Sequence, residues 1–386
     1  MTQFIHGIET VERLVGARPI RTPRFSVVGV IGTAPDASDG FPLDTPVLVE
    51  TSVTAAALGA TGSLPGAVAQ ARASGASALV IVRVADGTES EVLGAIKGDA
   101  NQDTGVHAFL LSKARLDVEP RIIIAPDYTH QRPGGQANPV VAELKGVLAK
   151  LRAVAVVAGP NTDNAAAVQA AQDAGDARIY LVDPWPLVYD AVADANVPAD
   201  PAPFVAGSMA SRPYWESPSN KPLVGVVGTT RLVRHAYSGD SPANTLNASN
   251  VSTIVRANGF RAWGNRGTGN DPATAFITSR RIFDAAIEAI EQGHEWAVDR
   301  PLTPQLALDI VSGVNSFLRT LTSRGAIIGG RAVLNPELNT PEAAAAGQLY
   351  VDFDIAETTP AERITFTLYR NPEYYEELAS AVSSAA

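Results

Sequence analysis

ALVIVRVA, residues Ala78 to Ala85, is interrupted by a single polar side chain, Arg83. A strand wetted on one side alternates apolar and polar residues. One covered on both sides reads as an unbroken apolar run, the pattern of parallel or mixed sheets between helices. Five further runs share this character: SVVGVIG (Ser26 to Gly32), VLVE (Val47 to Glu50), RIIIAP (Arg121 to Pro126), AVAVVAG (Ala153 to Gly159) and RIYLVDP (Arg178 to Pro184). Between them, Leu64 to Ser74, Pro139 to Arg152 and Asn164 to Ala174 have the length and composition of crossover helices. The last has Asn161 or Thr162 as candidate N-cap and Gly175 as its stop. The expected body is α/β.

Two stretches break the rhythm. DGTESEVLGAIKGDANQDTG (Asp86 to Gly105) is polar and punctuated by glycine, and reads as an insertion or peripheral β-region reaching to about Val118. From Pro184 to Pro222, prolines recur so often that neither a long helix nor a central strand is expected, only a surface excursion. An apolar piece, Lys221 to Val233, and a loop-like stretch, Ser238 to Ser249, follow.

The remainder is of another kind. Asp271 and Pro272 open a helix expected to run to about Gln292, with Phe276, Ile277, Ile282, Phe283, Ile287 and Ile290 on one face and Gly293 as stop. Thr303 and Pro304 open a second, which Gly325 ends. Strands are expected at Ala326 to Leu334, Gln348 to Glu357 and Arg363 to Arg370. In the last two, Val351, Phe353 and Ile355, then Ile364, Phe366 and Leu368, alternate with more polar neighbours, which predicts a half-buried sheet. This is a small α+β domain with edges to offer. Residues 371–386 read as a short amphipathic helix or an extension toward a neighbour. The first 24 residues contain a short strand-like piece, Ile8 to Val15, which is stable only when paired with a sheet elsewhere.

The chain has 386 residues, enough for two or three domains, and a formal charge of −10. That balance argues against a nucleic-acid binder, which needs a lysine and arginine surplus. With no cysteine there is neither a disulfide framework nor a thiolate metal site. No apolar run is long enough to span a bilayer, and the start lacks a secretory signal, so cytoplasmic synthesis is expected and a membrane partner is not.

Candidate chemistry is thin. GSMA (Gly207 to Ala210) and DTG (Asp103 to Gly105) resemble the serine and aspartate motifs of subtilisin-like proteases, in the right order. The histidine between them is missing: His107 follows Asp103 too closely, and His130 lies in THQRPGG. A serine without an oriented base is not an activated nucleophile. A subtilisin-like hydrolase centred on Ser208 is therefore the alternative reading. GVIGTA (Gly29 to Ala34) and GNRGTGN (Gly264 to Asn270) lack the spacing for a dinucleotide loop or the lysine of a phosphate loop. The scattered histidines predict no metal site. Asp352 and Asp354 share one strand face, which solvation explains. No catalytic residue and no cofactor are expected.

Five strings tell more together: HGIETVERLVGARPI (His6 to Ile20), SPSNK (Ser217 to Lys221), NGFRAWGNRG (Asn258 to Gly267), WAVDRPLT (Trp296 to Thr303) and PAERI (Pro360 to Ile364). In this order they resemble the tail sheath proteins of contractile phages and R-type pyocins across nearly the whole chain. The resemblance implies a subtilisin-like fold element without the triad, and rings of six subunits stacked helically around an inner tail tube. It also implies partners at the baseplate and the tail terminator, and a place in a virion tail or phage-derived particle. Terminal arms would add strands to neighbouring subunits. For this chain that points to Ile8, Thr10, Val11, Glu12, Arg13, Leu14 and Val15 as donated strand, and to Val351, Phe353, Ile355, Ile364, Phe366 and Leu368 as receiving sheet. Arg280, Arg281, Arg319 and Arg324 are candidate polar contacts to the tube. The expected division is an arm at 1–24, an outer α/β region with its insertion at 25–120, a central domain at 121–256, a polymerisation domain at 257–370 and a second arm at 371–386.

Overall fold

The computed structural model describes residues 20–236 and 240–385. In chain order the first half comprises β1 (Val28–Thr33), β2 (Pro46–Val49), α1 (Ser52–Ala56), α2 (Leu64–Ala73), β3 (Leu79–Val84), α3 (Glu89–Lys97), α4 (Ser112–Leu116), β4 (Ile122–Ile124), α5 (Pro139–Leu151), β5 (Val154–Ala158), α6 (Asn164–Ala174) and β6 (Ile179–Val182). The strands form one sheet in the order β2-β3-β1-β4-β5-β6. Every pairing is parallel except that of β2 with β3. The apolar runs are continuous because both faces are covered. In β3, Val80, Val82 and Val84 enter the core beneath α3, α5 and α6, while Leu79 and Ile81 enter the one on the opposite face, beneath α2.

This strand order moves the expected boundary at 120/121. β1 hydrogen-bonds both β3 and β4, so residues 25–120 and 121–182 share a sheet and a core. The polar stretch after Asp86 is no β-insertion either. Thr88 and Glu91 make a reciprocal capping box that starts α3, and Val106 and Phe109 of a following 3-10 turn are fully buried. It is the crossover from β3 to β4, polar where it meets water and apolar where it covers the sheet. Asp163, rather than Asn161 or Thr162, caps α6, its carboxylate accepting the Ala166 N–H at 2.8 Å; Gly175 ends that helix in the left-handed conformation.

The proline-rich stretch holds β7 (Pro186–Asp190), β8 (Ala195–Pro198) and α7 (Ala202–Ala210). Far from being a surface excursion throughout, it contributes in α7 a helix buried at every position. Pro201 and Pro203 sit at its first turn, where a missing N–H costs nothing. β9 (Lys221–Pro222), β10 (Val226–Thr229), α8 (Pro242–Ala248), β11 (Thr253–Arg256) and β12 (Phe260–Trp263) complete two small sheets, β10-β7-β8 and β11-β12-β9.

The last region has α9 (Ile277–His294), α10 (Pro304–Ser323), β13 (Ile327–Leu334), α11 (Pro341–Ala345), β14 (Val351–Glu357) and α12 (Glu373–Ser384). Asp271 caps only a short 3-10 turn, and α9 begins six residues later. Gly293 lies inside α9 rather than ending it: a Cβ there would stand 2.8 Å from Ile20. Thr303 caps α10 as expected. Ile282, Ala285, Ala286 and Ala289 of α9 and Val314, Phe317, Leu318 and Leu321 of α10 form a third core with Ile327, Ala332, Val351 and Ile355 of an antiparallel β13–β14 pair. The third expected strand is absent from that sheet. Residues 358–371 run without turn, bend or ladder, and every described residue from Ala361 onward is exposed.

Candidate assembly surface

At the carboxyl ends of the parallel strands, where α/β folds carry their ligand sites, the ground is already occupied by structural contacts. Asp183, fully buried after β6, pairs with Arg231 and accepts the Asn161 N–H at 2.8 Å. Trp185 donates its indole N–H to the Gly159 carbonyl and meets His130 edge-on. Asp200 accepts N–H bonds from Asp127 and Ala202, and burial pushes its carboxyl up to about 7.

The protease-like motifs have packing explanations. Gly207 is where α7 crosses α2: a Cβ there would sit 2.3 Å from the Ala71 carbonyl oxygen and 2.6 Å from the Ser74 Cβ. Ser208 is buried within the same helix. The turn at Asp103 to Gly105 leads into the 3-10 segment whose Val106 and Phe109 pack on the opposite face of the sheet from α7, so the two motifs are separated by the sheet itself. Gly207→Val is expected to destabilise by at least about 1–3 kcal/mol through overpacking, read as a lower urea midpoint. Wild-type stability in that variant would remove the close-approach explanation.

The unfilled valences lie at the other end of the molecule. β13 pairs only with β14, so among the described residues neither strand has a second strand partner; on the outer edge of β13 the Asn315 side chain bonds the Ala332 N–H and carbonyl, and β14 has the freer edge. Val351 and Ile355 face the helices; Phe353, on the same strand face, is partly exposed. Asp354 accepts the Arg331 N–H at 3.0 Å and Asp352 accepts from Asn335 at 2.7 Å, so this acidic pair does local work on the outer face. Ile364, Phe366 and Leu368, expected inside a sheet, are 69%, 92% and 96% exposed. Their alternation is real, but among the described residues no strand pairs with them. α12 is likewise exposed along its whole length, including Tyr374, Leu378 and Val382 on one side.

Arginines hold the chain near both ends of its described residues. Phe25 packs on Tyr214 with ring centroids 5.4 Å apart and beneath the Arg121 guanidinium at 5.3 Å. Arg281 donates to the Phe25 carbonyl at 3.0 Å and is so deeply buried that desolvation lowers its pKa to about 10. A side chain spent in this way does not reach a tube. Arg280 is turned inward as well, pairing with Asp284 at 2.9 Å, whereas Arg319 and Arg324 are exposed. The segment Ile8 to Val15 lies outside the described residues. At the other end, Glu362 grips Arg266 through two hydrogen bonds of 2.8 and 2.6 Å; each partner moves the other's pKa outward, Glu362 down and Arg266 up.

This pair spans a cleft of roughly 820 Å³ whose walls include Ser217, Ser219 and Asn220, then Trp263 to Arg266, then Pro360 to Arg363. Three strings far apart in sequence thus meet at the root of the exposed segment. Within them, Ser219 accepts the Gly264 N–H at 3.0 Å and Arg261 donates to the Asn220 carbonyl at 2.9 Å. Sequence reasoning saw the strings but not the Arg266–Glu362 contact. Opposite charges in two separate motifs were the available signal.

A folded body with a two-stranded sheet, an exposed segment of alternating apolar residues and an exposed helix after it has the features of the class of subunits that assemble with others. Comparison with known proteins gives the class its family. Residues 269–370 match the phage tail sheath C-terminal domain. A prophage major tail sheath protein of Pseudomonas aeruginosa strain UCBPP-PA14 is 33% identical, covering 97% of this chain and 98% of its own. The tail sheath protein of Escherichia phage P2 is 30% identical over the full length of both. The sheath of the anti-feeding prophage in its contracted state superposes with a TM-score of 0.70 at 18% identity, covering 96% of this chain and all of that one. The contracted sheath complex of the extracellular injection system PVC gives 0.69 at 17%, covering 97% and 100%. The chain belongs to the contractile tail sheath proteins.

Proposed function

We propose that this sheath subunit polymerises by strand exchange into six-membered rings stacked helically around an inner tail tube, and contracts when the baseplate releases it. The observation that carries this reading is the coexistence, in one chain, of a two-stranded β13–β14 sheet and an exposed segment, without turn or bend, whose alternate residues Ile364, Phe366 and Leu368 are apolar. An exposed segment of that kind is a liability in a monomer and an adhesive in a polymer. Contacts of this type are head-to-tail and need not close, which generates tubes. Residues 257–357 then form the polymerisation domain, with Val351, Phe353 and Ile355 on the receiving sheet and residues 363–370 as the outgoing strand. Ile8 to Val15 is the second donor. Arg319 and Arg324 remain the candidates for polar contact with the tube, and the tail terminator closes the stack.

Energy for contraction is stored in the extended array and released as buried surface, with subunits moving as rigid bodies while exchanged strands hold them together. No catalysis is required of the α/β body. Its parallel sheet and buried, small-residue helix α7 support a subtilisin-like description in which Ser208 serves packing. The subunit functions in a virion tail or phage-derived particle and is assembled in the host cytoplasm.

Negative-stain microscopy of the purified chain tests the reading: ribbed hollow tubes are expected. Removing Met1 to Pro19 is expected to leave a soluble, folded subunit that forms none. Tubes from that truncation would exclude the N-terminal segment as a required donor.

A further inference from the structure

Strand exchange, if it operates as proposed above, has a problem of parity. Successive side chains of a strand point to opposite faces, so a donated strand that enters one residue out of step presents its polar set to the receiving core. Something must set which face leads. We infer that the Arg266–Glu362 pair sets it, acting as the positioning contact for the outgoing strand; this inference rests on the strand-exchange reading.

The geometry places the pair at the right point of the chain. Thr358 is tied to the start of β13, donating its hydroxyl to the carbonyls of Gly325 and Ala326, each at 3.0 Å. Four residues on, Glu362 meets Arg266 through both carboxylate oxygens. Between Arg363 and Tyr369, no hydrogen bond or ion pair to the body is found among the described residues. Glu362 is therefore the last fixed side chain before the free strand. No turn or bend intervenes, and Glu362, Ile364, Phe366 and Leu368 share one parity. Arg363, Thr365, Thr367 and Tyr369 share the other. Holding the Glu362 side chain against the body fixes the direction in which the three apolar side chains leave it.

The chemistry suits a directional pin. A guanidinium donating to both oxygens of a carboxylate constrains rotation as well as distance, which an ammonium does not. Arg266 is itself immobilised: its guanidinium lies over the Phe276 ring at 5.3 Å, and its backbone bridges that of Phe276 just before α9. Both partners are about two-fifths exposed, so their contribution to folding is small and a role in direction is not confounded by a role in stability.

An insertion series provides the test. One alanine placed between Glu362 and Arg363 reverses the parity of the strand relative to the pin; two alanines restore it. The one-residue insertion is expected to raise the critical concentration for tube formation at least about tenfold, while the two-residue insertion stays close to wild type and both monomers melt as wild type does. In a Glu362→Ala background the strand is no longer directed, so the one-residue insertion should add no further loss. Exchanging the charges, Arg266→Glu with Glu362→Arg, should recover part of what either change alone removes. Equal effects of one and two inserted residues, or an undiminished effect of the insertion in Glu362→Ala, overturn the pin. Deleting residues 363–386 separates the two levels: tubes from that deletion would sink the strand-exchange reading and the pin with it, whereas loss of tubes leaves the insertion series to decide the pin alone.

Discussion

Replacing Ile364, Phe366 and Leu368 together with aspartate is expected to abolish tube formation while leaving the melting of the monomer unchanged. The monomer is indifferent because all three side chains are already in water, and exposed substitutions away from special features shift stability by no more than about 0.5 kcal/mol. The polymer is not. Burying an apolar side chain of this size is worth roughly 1.5–3 kcal/mol, so three contribute on the order of 5–9 kcal/mol at each exchanged strand. At about 1.4 kcal/mol per tenfold, their loss moves the critical concentration by three decades or more. Aspartates at Thr365 and Thr367 provide the contrast. They occupy the opposite strand face, and their effect should be smaller by at least about tenfold on the same scale. Sedimentation across a concentration series reads both. Similar losses from the two faces would mean that the segment does not enter a one-sided sheet.

The same segment shows where reading the sequence stops. Its alternation was legible as a strand, because period two is written in side chains that must face a core. Which core was not legible, since nothing in a period says whether the partner strand lies in the same chain. Ile364, Phe366 and Leu368 were accordingly placed in the sheet of Val351, Phe353 and Ile355, and the structure shows only β13 and β14 there. The central sheet was read correctly strand by strand, yet it was divided at residue 120. Sequence order does not reveal that β1 lies between β3 and β4. Composition misled at α3 and α7, while position did not. Thr88 with Glu91 and Pro201 with Pro203 are helix-start chemistry inside stretches whose overall polarity or proline content suggested loops. Arg280 and Arg281 looked like a surface pair; a helix places neighbours about 100° apart, and both turned inward because buried acceptors, Asp284 and the Phe25 carbonyl, were waiting there.

Those inward arginines lead to the second large effect. α9 carries Asp284, Glu288 and Glu291 on one face, and each meets an arginine from the amino-terminal end of a central strand: Arg178 before β6, Arg121 before β4 and Arg152 before β5. This row joins the polymerisation region to the α/β body, and its members differ in burial. Burial pushes the Glu288 carboxyl up against the opposing pull of Arg121. Asp284 is 1% exposed and holds both Arg178 and Arg280. Glu291 is 56% exposed at its side chain. Asp284→Ala leaves two guanidinium groups facing a buried site with no carboxylate, a loss of about 3–5 kcal/mol. Glu291→Ala, at the water-exposed end of the same row, should cost about 0–1 kcal/mol. Against a total stability of roughly 5–15 kcal/mol, the first change removes a large share and the second almost none. Urea denaturation of the two monomers measures the difference directly. In the double variant Arg178→Ala with Asp284→Ala, the loss should be less than the sum of the single changes, because each single change strands the other's charge. Additive losses, or an Asp284→Ala monomer as stable as Glu291→Ala, would show that packing alone joins α9 to the sheet. A confirmed coupling explains how tension on exchanged strands turns a whole subunit: α9 itself carries the Arg281 clamp on Phe25, it follows the Arg266 grip on Glu362, and its acidic face is fastened to three adjacent strands of the body.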